Sequence, residues 1–178
     1  KENKIIKVDK IDLDYFDTEN KKNKLFFQRK QKNNYELIGS KFNANKIITN
    51  LFEKTDDKQF KILKNDIKLT LNLNEVYIDN ENLIKDLTGD LQVVNNKIFE
   101  ANISAIFNNN KNLTFTINNN NNEKITTLYS SKAKPFVKRY KFIKGFEDGD
   151  LDFYSSKKII FQILFLKSII LRSKKFLF

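Results

Sequence analysis

Between Ile67 and Leu73 every second residue is apolar: Ile67, Leu69, Leu71 and Leu73 alternate with Lys68, Thr70 and Asn72. A period of two belongs to a β-strand, whose successive side chains point to opposite faces. The phase then slips. Val76 and Ile78 continue the apolar face only if an extra residue intervenes near Asn74, which predicts a β-bulge there. Leu87, Leu91 and Val93 make a second run with Gly89 in phase, and Asn95-Asn96 is suited to a hairpin turn because Asn tolerates positive φ. Phe99, Ala101, Ile103, Ala105 and Phe107 form the cleanest alternation, followed by an Asn108–Asn110 turn and then Leu113, Phe115 and Ile117. The Asn118–Asn122 tract reads as a loop and Ile125–Tyr129 as a further strand. Upstream, Ile6–Phe16, Leu25–Gln28 and Tyr35–Ile38 also read as strands. The pattern predicts a mainly β protein: one antiparallel sheet, twisted or curved into a groove, with an apolar and a polar face.

Two segments follow a helical period instead. Asn43–Lys54 spaces Ile47, Ile48, Leu51 and Phe52 for one helix face, with Asn43 or Asn45 available as cap. Ala133–Phe142 does the same with Phe136, Val137 and Tyr140; Ser131 is the expected N-cap, and Pro135 fits the first turn. Both are expected to cross the sheet. Each follows a strand and carries an Ala near its start, which suggests an internal repeat.

The tail breaks both patterns. Ile159–Leu166 is almost uniformly apolar, but Lys167, Arg172, Lys174 and Lys175 interrupt the stretch before it reaches the ~20 residues of a membrane span. It shows neither strand alternation nor a clean helical stripe. If A/T-rich codons are assumed and read one frame over, the tail can spell an alternating strand-like run. Residues 158–178 are therefore expected to be a frameshifted or truncated end, distinct from residues 1–157, and to pack poorly on them.

Composition narrows the chemistry. Of 178 residues none is Cys, His, Met or Trp, which removes disulfides, thiolate metal sites, Cys nucleophiles and His-based triads. The missing Met leads us to expect a piece of a longer protein. The net charge of +11 invites a polyanion partner, yet the lysines run from Lys1 to Lys175. Abundant Lys, Asn, Ile and Phe match A/T-rich codon usage, which accounts for the charge without selection for nucleic acid.

Two local clusters merit weighing. Glu147, Asp148, Asp150 and Asp152 lack the spacing and the distant Glu of a calcium loop. They read instead as an Asp-Gly turn opening a strand, with Leu151 and Phe153 facing the core. The run Lys134–Lys144 interleaves lysines with Phe136, Tyr140 and Phe142, as single-strand binders do. On a helix, however, the aromatic and cationic residues fall on opposite sides, as in an ordinary amphipathic helix. With no Gly-rich phosphate loop, nucleophile elbow or metal-ligand spacing, we expect no catalytic residues, metal or cofactor, and a protein that is not an enzyme.

Four pieces of sequence carry a family resemblance: Gly39-Ser40-Lys41-Phe42-Asn43-Ala44, Val76-Tyr77-Ile78-Asp79, Leu87-Thr88-Gly89-Asp90-Leu91, and the unit Ala133–Asp152. Together they resemble the AsmA-like family of bacterial envelope proteins (AsmA/YhdP type), in its C-terminal region. The motifs are soft patterns of strand, small residue and helix, with no chemical group in common. What the resemblance implies is an elongated β-groove over residues 1–157, held to the inner membrane by an N-terminal anchor missing from this chain, with its bulk in the periplasm. Phospholipid acyl chains would run along the apolar face past Leu69, Leu71, Leu73, Ala101, Ile103, Phe107, Phe115 and Ile117, in transport between membranes for envelope biogenesis. The alternatives are a non-catalytic basic nucleic-acid-binding module, which is not favoured, and a structural envelope domain.

Overall fold

The computed structural model describes residues 8–53, 66–95, 97–108, 110–120, 123–140, 147–158 and 169–172. They form one sheet of ten strands in chain order: β1 (Lys10–Phe16), β2 (Lys22–Gln31), β3 (Asn34–Asn43), β4 (Ile67–Tyr77), β5 (Leu83–Val94), β6 (Lys97–Phe107), β7 (Asn112–Asn120), β8 (Glu123–Ser130), β9 (Asp150–Lys158) and β10 (Ile169–Arg172). Helix α1 (Asn45–Glu53) follows β3, and α2 (Lys134–Tyr140) follows β8. The protein is thus mainly β, with an open and mostly antiparallel sheet and two short helices.

One pairing departs from the all-antiparallel expectation. β3 and β4 run parallel, with Asn34 level with Lys68 and Asn43 level with Tyr77. A parallel neighbour must start at the same end of the sheet as its partner, so the chain needs a crossover of roughly a dozen residues or more. The stretch holding α1 supplies it. β8 and β9, by contrast, are antiparallel although α2 lies between them.

The slip near Asn74 belongs to three strands. Leu71 and Leu73 are buried before it and Val76 and Ile78 after it, so the inward parity changes from odd to even. In β5 it changes between Leu87, half-buried, and Ile84, buried, with Asp86 at φ 51° between them. In β3 it changes between buried Gly39 and half-buried Phe42. Ser40 falls level with Asn74, and Asn74 with Asp86, in the frames set by their flanking pairs. Because each of the three strands spends one residue at the same level, their mutual register is unbroken. The slip is discharged on the outside, as register shifts against β2 and against β6.

Asparagine makes the turns. Asn20, Asn33, Asn95 and Asn110 have φ between 51° and 62°, the left-handed region that Asn enters more readily than most residues. The Asn118–Asn122 loop is shorter than expected. Asn118, Asn119 and Asn120 stay in β7 opposite Ile125, Lys124 and Glu123, because pairing satisfies their backbone groups whatever their side chains prefer. Ser131 does not cap α2. The Ala133 carbonyl accepts from Phe136 N–H at 3.0 Å and Val137 N–H at 3.1 Å, so the helix starts from Ala133, and Ser131 N–H donates instead to the Asn112 carbonyl at 2.9 Å.

The core sits at the helix-bearing end of the sheet. It joins Leu25, Leu73, Val76, Ile78, Ile84, Ala105, Phe107, Leu113, Leu128 and Leu151 to Ala44, Ala133, Phe136 and Val137. In the tail, Ile169–Arg172 pairs with β9 as a short edge strand; residues 159–168 and 173–178 lie outside the described residues.

Candidate functional site

Cross-strand register assembles the apolar face into a line. Ile11 pairs with Phe27, Phe27 with Leu37, Leu37 with Leu71, Leu71 with Gly89, Gly89 with Ile103, Ile103 with Phe115, Phe115 with Leu128 and Leu128 with Phe153. Eight of these nine positions carry apolar side chains. At about 4.8 Å per strand the line runs for roughly 40 Å. Gly89 is its one gap, for a steric reason: an added Cβ would fall on the Asn102 carbonyl and lie 2.8 Å from Ile103 Cα. β6 therefore approaches β5 more closely than a side chain there would allow.

All eight residues expected along the apolar face are on it, distributed over β4, β6 and β7 with β5 between. They are not equally open. Leu71, Leu73, Ala101, Phe107 and Ile117 are between 3% and 8% exposed, while Leu69, Ile103 and Phe115 are half-buried. Leu73 and Phe107 belong to the helix-covered core, with Phe115 packed against it. Leu69, Leu71, Ala101, Ile103 and Ile117 lie along the face away from that cluster. Toward β1 the face becomes open: Ile11 and Leu13 are each 39% exposed and Tyr15 43%.

The helices reach the sheet through two matching polar assemblies that the sequence reading did not find. Asp17, in the β1–β2 turn, accepts from Glu19 N–H at 2.8 Å, and its second oxygen accepts from Asn23 Nδ2 at 3.2 Å. Buried Asn23 in turn accepts the Asn43 N–H at 2.8 Å, beside the start of α1. Asp79, in the β4–β5 turn, accepts from Glu81 N–H at 2.8 Å and from Asn82 Nδ2 at 2.7 Å. Buried Asn82 accepts from Lys132 Nζ at 2.6 Å, beside the start of α2. The chain held part of the signal: Asp17-Thr18-Glu19 and Asp79-Asn80-Glu81 share Asp and Glu at one spacing, but the fastening asparagines, Asn23 and Asn82, stand at different distances from them.

These bonds set the charge state of the first turn. The Lys21 N–H, then the Asn43 and Asn23 amides and the Glu19 N–H, hold the Asp17 carboxyl down at about 2 against the opposing effect of burial. Hydrogen bonds from Asn43 and Asn45 likewise lower Glu19. With their acceptors taken by protein donors, these carboxylates serve as fasteners.

The polar face carries an open cavity of about 620 Å³, lined among others by Lys30, Glu36, Lys68, Asp90, Glu100 and Asn118. Its charges are mixed, and two of its carboxylates are held by neighbours. Glu36 accepts from Lys30 at 2.7 Å and from Gln28 at 2.6 Å, and Asp90 from Thr70 at 2.8 Å. Periodicity could not have shown it, since any strand with outward polar residues has the same pattern.

Of the two charged clusters weighed in the sequence, β9 places Leu151 inward and Asp152 outward, opposite Ser130 and Tyr129 respectively. On α2, Phe136 and Val137 are buried while Lys138 is exposed, 3.7 Å from Glu81; residues 141–146 lie outside the described residues. Among the described residues no group of acidic side chains is placed to hold a metal ion, and no helix is long and apolar enough to cross a membrane. In comparisons with protein-family models, curated proteins and solved structures, nothing matches this chain.

Proposed function

We propose that the protein is part of an AsmA-like, inner-membrane-anchored periplasmic protein that binds phospholipid acyl chains along its apolar sheet face and conducts them between membranes. The observation that carries this reading is the nine-strand apolar line. A core closed by two short helices requires apolar residues only beneath those helices; here the line continues to Ile11, where more than a third of the residue meets water. An acyl chain would cover what the helices do not.

Leu69, Ile103 and Phe115 are the members of the expected set that a chain can reach, being half-buried. Burying one Leu or Phe against hydrocarbon is worth roughly 1.5–3 kcal/mol when complete, so several in line hold a lipid without polar specificity. No chemical step is required of the protein in this role.

The test is to purify the protein from a bacterial host, with and without Ile103→Asp, and to quantify co-purifying phospholipid by mass spectrometry. A carboxylate on that face lacks a compensating partner, so the variant should retain its circular dichroism and lose its lipid. Lipid-free unmodified protein, or a folded variant carrying as much lipid, would show that the face is ordinary core.

A further inference from the structure

On β8 and β9 the apolar face changes character along the strands. Leu128 faces Phe153, Thr126 faces Ser155, and Lys124 faces Lys157, in one unbroken antiparallel register. Period two puts all three pairs on the same side of the sheet. The face therefore passes from apolar to hydroxylated to doubly cationic over four residues, about 13 Å, moving away from the helix-covered core.

The last pair is unfavourable as it stands. Like charges directly opposite each other on neighbouring strands repel. Lys124 is half-buried, and burial, followed by the charges of Lys157 and Lys97, pushes its ammonium below the usual lysine range. Its Nζ donates to the Ile98 carbonyl at 2.9 Å, and an ammonium has three donors in all. The adjacent carboxylate, Glu123, has the opposite parity and accepts from Ser156 Oγ. Among the described residues, the charges acting on Lys124 are the cations Lys157 and Lys97.

We propose that Lys124 and Lys157 are the anionic-headgroup site of an amphiphile whose hydrocarbon chain lies on the apolar face; the chain half of this rests on the function proposed above. A phosphate set between the two ammonium groups replaces repulsion by two charge-assisted contacts. The polar step at Thr126 and Ser155 then corresponds to the glycerol level, and from there the chain crosses the strands over the part of the face outside the helix-covered core, toward half-buried Ile103 and Leu69. With the pair on β8 and β9, at one end of the cross-strand apolar line, the ligand has a direction: head at β8 and β9, tail toward β4 and β1.

The experiment titrates the protein and its Lys124→Gln/Lys157→Gln variant with decyl phosphate, decyl maltoside, methyl phosphate and a single-stranded DNA oligonucleotide, each below any micellar concentration. Loss of the two contacts should weaken decyl phosphate by about tenfold or more and leave decyl maltoside unchanged. Binding of decyl phosphate should also fall with added salt. Decyl phosphate and decyl maltoside bound equally by both proteins would overturn the headgroup site and leave the acyl-chain reading standing. Methyl phosphate bound as tightly as decyl phosphate, with lysine dependence, would overturn the amphiphile while retaining an anion site. Lysine-dependent binding of the oligonucleotide alone would overturn the proposal in favour of nucleic acid, and no binding of any probe would overturn both readings. Lys157→Glu, a substitution on an exposed side chain, provides a second variant and should abolish decyl phosphate binding outright.

Discussion

The two helix-bearing units, β3–α1–β4 and β8–α2–β9, begin alike and end differently. In each, an alanine joins strand to helix and its N–H extends the sheet by one bond: Ala44 to the Tyr77 carbonyl and Ala133 to the Gly149 carbonyl, both at 2.9 Å. In each, the same carbonyl of that alanine accepts the first helical bond, from Ile48 at 2.9 Å and from Val137 at 3.1 Å. In each, a buried asparagine of a neighbouring hairpin, Asn23 in β2 and Asn82 in the β4–β5 turn, accepts a bond from a residue two positions before the helix and donates to an aspartate. Yet the first unit delivers a parallel strand and the second an antiparallel one. The conserved element of this architecture is therefore the junction, while strand direction depends on whether the next strand begins near the helix or at the far end of the sheet.

The units also differ in how firmly the helix is seated. Ala133, Phe136 and Val137 are 1%, 6% and 3% exposed, whereas on α1 Ala44 is 9% exposed, Ile48 half-buried and Ile47 44% exposed. The sharpest way to break this contrast is truncation. Phe136→Ala should cost about 3–5 kcal/mol and Ile48→Ala about 1–2 kcal/mol in urea unfolding; equal costs would mean that α1 is as deeply packed as α2.

The asparagine junctions should behave alike. Asn23→Ala strands the Asn43 N–H and Asn82→Ala strands the Lys132 ammonium, and each should cost about 1–3 kcal/mol. A large loss for one and none for the other would end the equivalence of the two assemblies.

pH probes the first junction by itself. The Asp17 carboxyl is lowered from 3.8 to about 2 in the folded protein, so its stabilisation is fully present above the unfolded value and is lost as pH falls through about 2. The stability difference between the unmodified protein and Asp17→Asn should accordingly hold above about pH 4 and narrow toward pH 2. A difference independent of pH across that window would remove the charged carboxylate from the account. The smallest effect belongs to exposed Ile47: Ile47→Ser should change stability by no more than about 0.5 kcal/mol, unless α1 has a covering partner in solution.

Much of this fold was legible in the chain. Alternation located the strands because one face is buried and the other is wet, and a one-residue slip would exchange them. For the same reason the extra residue near Asn74 showed itself as a phase error between Leu73 and Val76. Both helices were visible from the spacing of Ile47 and Ile48 and of Phe136 and Val137. What misled was local preference: Asn118–Asn120 read as loop and Ser131 as a cap, where pairing with β8 and the Asn112 carbonyl decided otherwise.

The amino-acid order by itself determined which residues share a face, since strand and helix periods are properties of the backbone. It also determined the left-handed Asn turns and the absence of thiol and imidazole chemistry. Only the tertiary structure decided that β3 and β4 run parallel, that Ser40, Asn74 and Asp86 share one level, and that Lys124 faces Lys157. These are facts about residues brought together from different strands. Their positions are set by the register of the whole sheet, which the pattern within any one strand leaves open.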